Sequence, residues 1–159
     1  MRAITYVLYA ALIVFAQSAS ALVVERVTSV ADDSGGSLSI SSTSNAFSDG
    51  GSTETSLVAS SFSPRGEGSI SGELNRVRNR SAENLSSVYN GDFSIAGTDA
   101  DGNPVSIDAS LLDLGVVREG AGPSFSGTVI INGNSFAANE MPEPARRVVG
   151  RALRLFVFD

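Results

Sequence analysis

The chain of 159 residues has no histidine, no cysteine and no tryptophan, and all 11 of its basic residues are arginine, so it has no lysine either. Each absence closes a class of chemistry. Without an imidazole no Ser–His–acid triad forms. Without an ε-amine, Ser–Lys nucleophiles and Schiff bases are excluded. Without a thiol there is no sulfur nucleophile, no redox pair and no disulfide. Zinc, copper and haem sites draw mainly on His and Cys, so transition-metal catalysis is disfavoured. Oxygen chemistry survives: carboxylates, hydroxyls, tyrosine, arginine and backbone groups. A pair of carboxylates hydrolyses glycosidic bonds, but no pair stands out. Rings for stacking on sugars are scarce, since beyond residue 21 the only tyrosine is Tyr89. The expectation is a protein that is not an enzyme and has no cofactor. A carboxylate-dependent hydrolase is the enzymatic alternative.

Long apolar runs are nearly absent as well. The single one, Ala3 to Ala16, spans 14 residues, short of the ~20 that a membrane-crossing helix needs. Arg2 precedes it, and Gln17-Ser18-Ala19-Ser20-Ala21 follows, with Ala19 and Ala21 in the small-x-small arrangement that a signal peptidase accepts. Residues 1–21 therefore read as a cleavable signal peptide and residues 22–159 as one domain of about 138 residues. An uncleaved anchor is the alternative. After cleavage no integral membrane segment is expected, and the protein would be periplasmic or extracellular. A cysteine-free exported domain leans towards a bacterial source. Loss of Arg2 takes the net charge from −6 to −7, and so acidic a domain does not attract nucleic acid.

What is plentiful is Ser and Gly, above all over residues 34–71. Asp33-Ser34-Gly35-Gly36, Ser48-Asp49-Gly50-Gly51 and Pro64-Arg65-Gly66 are turn signals. Between them Leu38 and Ile40, then Leu57, Ala59 and Ser61, alternate with residues of the opposite face, among them Val58 and Phe62. A period of two marks a strand with one wet face; a partly flexible Ser-rich linker is the alternative. Further on, Ile70, Gly72 and Leu74 share a face, as do Tyr89, Gly91, Phe93 and Ile95. So do Val105, Ile107, Ala109 and Leu111, and Phe125, Gly127, Val129 and Ile131. Thr98-Asp99-Ala100-Asp101-Gly102-Asn103 reads as a hairpin loop, and Asn132-Gly133 as a two-residue hairpin turn. At the C-terminus a short helix is expected from Pro144 to Gly150, then a final strand to Phe158. The pattern predicts an all-β domain, an antiparallel sandwich or small barrel of seven to nine short strands with one short helix near the C-terminus.

Two clusters carry candidate chemistry. Asp99, Asp101 and Asn103, with Asp108 beyond, resemble the opening of a calcium loop. The full EF-hand pattern fails, because Gly102 stands at position four and Ser110 at position twelve. A polar turn explains the same residues. Arg76, Arg78 and Arg80 stand at spacing two, so a strand places all three on one face. Such a row suits bidentate contacts to sulfate, phosphate or uronate groups; the alternative is an edge strand kept soluble by charge. Arg146, Arg147, Arg151 and Arg154 form a second group, readable as a solvated helix face paired with Glu140 and Glu143. The sequons at Asn79 and Asn84 are read as coincidence in a Ser-rich chain.

Taken together the residues suggest an exported, non-catalytic surface, structural or binding module of the cell envelope, free to self-associate. A binder of small apolar ligands is the alternative, with a barrel pocket lined by Phe93, Ile107, Phe125 and Val129.

Overall fold

The computed structural model describes the backbone of residues 6–14, 22–47, 50–64, 68–81, 83–119 and 122–158. Strands β1 (Tyr6–Val14), β2 (Leu22–Ala31), β3 (Ser37–Phe47), β4 (Gly50–Phe62) and β5 (Ser69–Ser81) come first. Strands β6 (Leu85–Thr98), β7 (Pro104–Glu119), β8 (Gly122–Ile131) and β9 (Asn134–Ala137) follow, and helix α1 (Glu143–Leu153) comes after them. The strands form one antiparallel sheet in the order of the sequence. The all-β reading holds, with longer strands than expected: β4 and β5 have 13 residues each and β7 has 16. Of residues 1–21, read above as a signal peptide, 1–5 and 15–21 lie outside the described residues, while the backbone of β1 pairs with β2. The turn signals at Ser48-Asp49 and Arg65-Gly66 also lie outside them.

Serine and glycine do not make residues 34–71 a linker where they are described, because β3 pairs along its whole length with Gly50–Ser60 of β4. Their apolar residues recur at every second position, and Leu38, Ile40, Leu57 and Ala59 are all buried on one face. Strict alternation puts Phe62 on the opposite face, but the structure buries it to 1 % exposure. The cause is a bulge between Ala59 and Phe62, with Ser61 at φ 50°, which inserts a residue and turns Phe62 inward. Asn132 and Gly133 make the expected tight turn, at φ 49° and 79°.

The buried face reads as ladder rows. One row runs Thr28, Ile40, Leu57, Leu74, Gly91, Leu111, Val129, Phe136 across β2 to β9. Eight strands at about 4.8 Å spacing are far wider than one helix of about 10 Å diameter. Yet Val30 on β2 and Val129 on β8 are equally buried and belong to one cluster with α1. The sheet therefore curls around its own inner face, and α1 packs against that face.

The C-terminal segment departs from expectation. No final strand forms: α1 continues through Gly150 to Leu153, and Arg154–Phe158 is a 3-10 helix. The buried residues Ala145, Val149, Ala152 and Phe156 explain it. Their spacing is helical, so one continuous helical face delivers all four to the core. Among the described residues no helix is long and apolar enough to cross a membrane.

Candidate functional site

The inner face changes character along the strands. Beyond the apolar row lies Arg26, Ser42, Thr55, Arg76, Tyr89, Leu114; then Val24, Ser44, Thr53, Arg78, Ser87, Val116, Phe125. The last row is Leu22, Ala46, Gly51, Arg80, Leu85, Arg118, Pro123. The three arginines of β5 thus share one face, as their spacing predicts. They do not share an environment. Arg76 is only 3 % exposed; its Nη2 donates to Thr55 Oγ1 at 3.1 Å, and its guanidinium carbon lies 4.8 Å from the centroid of Phe156. Phe156 in turn meets Tyr89 edge to face, 5.5 Å between centroids. Arg76 is therefore a core residue held by a hydroxyl and an aromatic face. Nor is β5 an edge strand, because it pairs with β4 and β6.

Arg78 and Arg80 are exposed, and the fold adds Arg118 to them. Arg80, Leu85 and Arg118 are successive partners in one row, so the two arginine backbones lie about 10 Å apart. Together with Ser81, Glu83 and Asn84 these residues surround an open hollow of about 370 Å³. The Ser81–Asn84 turn forms its rim: the Ser81 N–H donates to Asn84 O at 2.9 Å, and the Asn84 N–H to Ser81 Oγ at 3.1 Å. No local pattern around Arg118 signals this role, which depends on two successive strand registers.

On the same face, α1 and the turn before it leave a second hollow of about 360 Å³ against β7 and β8. Leu114, Phe125, Ala138, Met141, Val149 and Leu153 line it, with Asn139, Arg146 and Gly150 at its edge. Leu114 reaches it through a bulge: the β7 register shifts between Leu112 and Gly115, with Asp113 at φ 49°. The Asp113 N–H donates to Asn90 Oδ1 at 2.7 Å, and Asn90 Nδ2 donates to Asp113 Oδ1 at 3.1 Å. Gly127, at φ 90°, fits beneath, because a Cβ there would lie 2.1 Å from Asp113 O. Phe125 is 43 % exposed although it faces inward. Of the four residues expected to line a barrel pocket, it alone lines this hollow. Phe93 and Val129 are packed in the core, and Ile107 is half-buried near the far end of the curl.

The Asp99, Asp101 and Asn103 loop joins β6 to β7 at the opposite end of the sheet from Arg80. Asp99 Oδ1 accepts the N–H groups of Asp101 and Asn103, both at 2.9 Å, and Asn103 Nδ2 donates to Asp99 Oδ2 at 3.2 Å. The Asn103 contacts hold the Asp99 carboxyl below the usual range. Asn103 thus faces Asp99 with its donor nitrogen rather than its carbonyl oxygen. Among the described residues no three acidic groups converge as a metal site. On α1, Arg147 Nε pairs with Glu143 Oε1 at 3.1 Å, and Arg151 Nη2 donates to Gly68 O at 3.1 Å. On the outer face Asp92 and Asp108 line a shallow groove, both exposed.

No protein-family model, no curated protein and no solved structure matches the chain.

Proposed function

We propose that the chain is an exported, non-catalytic binding module of the cell envelope, periplasmic or extracellular, which takes an apolar small molecule into the hollow between α1 and β7–β8. Export rests on the leader-like residues 1–21. The binding reading rests on the apolar hollow itself, and chiefly on Gly150 at its edge. A glycine inside a helix costs about 1 kcal/mol relative to alanine. A Cβ at Gly150 would meet nothing within 4 Å, so packing does not require the glycine. Its missing side chain leaves room beside Phe125 and Leu153. The volume falls in the range of small-molecule sites, roughly 300–1,000 Å³. The exposure of Asp92 and Asp108 supports the non-catalytic side, since a carboxyl serving as general acid is kept in a drier setting.

The test is a titration of the purified protein with the uncharged fluorophore N-phenylnaphthylamine. Saturable enhancement is expected, with loss of binding in Phe125→Asp while the circular dichroism spectrum is kept. Undiminished binding in a folded Phe125→Asp protein rejects this hollow as the site.

A further inference from the structure

We infer that the ligand is an anionic amphiphile, a single apolar chain ending in a carboxylate, whose head group is held by Arg78, Arg80 and Arg118. This rests on the binding reading above and adds the chemistry of the head. The two hollows lie on the same face of the sheet and share strand β7, which gives Arg118 to one and Leu114 to the other. Phe125, in the wall of the apolar hollow, is the ladder partner of Val116, and Val116 is the partner of Ser87, whose other partner is Arg78. Arg118 stands two residues beyond Val116, so its side chain emerges on the same face about 7 Å further along. A ligand whose tail lies against Phe125 and Leu114 therefore has its end within reach of Arg118 and Arg78.

Charge complementarity selects the sign of that end. Three arginines converge there in a domain whose net charge is negative. Among the described residues none of the three lies within ion-pair distance of a carboxylate; the ion pair described is Arg147 with Glu143. Among the described residues Glu83 is the one acid that lines the hollow. The planar guanidinium fork matches a carboxylate by two parallel N–H···O bonds. Ser81 and Asn84 at the same rim supply further polar atoms. The apolar hollow alone would not discriminate an acid from an alcohol of equal length. The arginine end does.

The experiment displaces N-phenylnaphthylamine from the purified protein with laurate and, separately, with dodecanol. Laurate is expected to displace it at a concentration at least tenfold lower, the effect of a charge-assisted contact or two. In the double variant Arg78→Gln, Arg118→Gln that preference should disappear while dodecanol and the fluorophore bind as before. Arg147→Gln, on the outside of α1, should keep the preference. Equal displacement by laurate and dodecanol, or a preference that survives in the double variant, overturns the head-group assignment. Inorganic phosphate that competes with laurate as well as octanoate does would overturn the amphiphile and leave a free-anion site. Failure of the fluorophore to bind at all is a separate result: it overturns the hollow as a binding site, and this inference with it.

Discussion

Asp32 is the strongest test of how the curled sheet is closed at its turns. It follows β2, and its carboxylate gathers three backbone donors from two loops. Oδ1 accepts the N–H of Ser34 at 2.8 Å and of Gly36 at 2.9 Å, and Oδ2 accepts the N–H of Ser63, at the end of β4. Partial burial opposes ionisation, but these three N–H groups outweigh it and set the Asp32 carboxyl below its ordinary value. In Asp32→Ala the Ser34 N–H, which is exposed, turns to water. The Gly36 and Ser63 N–H groups are partly buried and lose a charged acceptor, at about 1–1.5 kcal/mol each. The expected loss at neutral pH is therefore about 2–3 kcal/mol, or a fall in melting temperature of roughly 6–12 °C for a domain of this size. Because the folded carboxyl titrates below the unfolded one, its stabilisation is complete above about pH 4 and fades as pH falls through the lowered folded value. Urea denaturation of the native protein and of Asp32→Ala, from pH 7 down to pH 2.5, reads this directly. The gap between them should narrow towards the acid end. A gap under about 0.5 kcal/mol at pH 7, or one unchanged by acid, would refute the account of Asp32 as a charged clamp between loops.

Two glycines make opposite predictions. Gly127→Ala forces a Cβ onto Asp113 O from a left-handed backbone, and should cost at least about 2 kcal/mol, seen as a lower urea midpoint. Gly150→Ala should raise the melting temperature by about 2–5 °C, because helix propensity improves and nothing is displaced. Gly150→Met should fill the apolar hollow and weaken N-phenylnaphthylamine binding at least tenfold while leaving the fold intact.

Strand periodicity made most of the inner face legible in the sequence. Leu38 with Ile40, Ile70 with Leu74, and Phe93 with Ile95 stand at alternate positions, and the structure buries all of them. What periodicity conceals is any change of phase. The bulge at Ser61 reverses the face of Phe62, and the bulge at Asp113 lets Leu111 and Leu114 both point inward although they stand three residues apart. Neither position carries a glycine or proline to announce it. The C-terminal segment misleads for a different reason. Leu155 and Phe156 suit a strand by propensity, yet the burial of Ala145, Val149 and Ala152 has already fixed a helical phase that reaches them. Arg118 is invisible locally because its partnership with Arg80 passes through Leu85, in a register set by two separate hairpins.

The same register explains why the arginines face inward. On β5, Leu74 fixes the buried phase, and every second residue after it must share that face, so Arg76, Arg78 and Arg80 all point into the curl. A sequence serving stability alone would continue the row with Ile or Val, since burying a guanidinium sacrifices hydration that an apolar side chain never had. Here the row turns polar on neighbouring strands together: Ser42 and Ser44 on β3, Thr53 and Thr55 on β4, Ser87 on β6. The Ser44 and Thr53 hydroxyls meet at 3.1 Å, and Thr55 accepts from Arg76. A change carried across four strands at the same height is a property of the curl's end, not of any one strand. It sets a polar, cationic compartment against the apolar hollow beside Phe125, and that boundary is the feature an amphiphile with an anionic head would match.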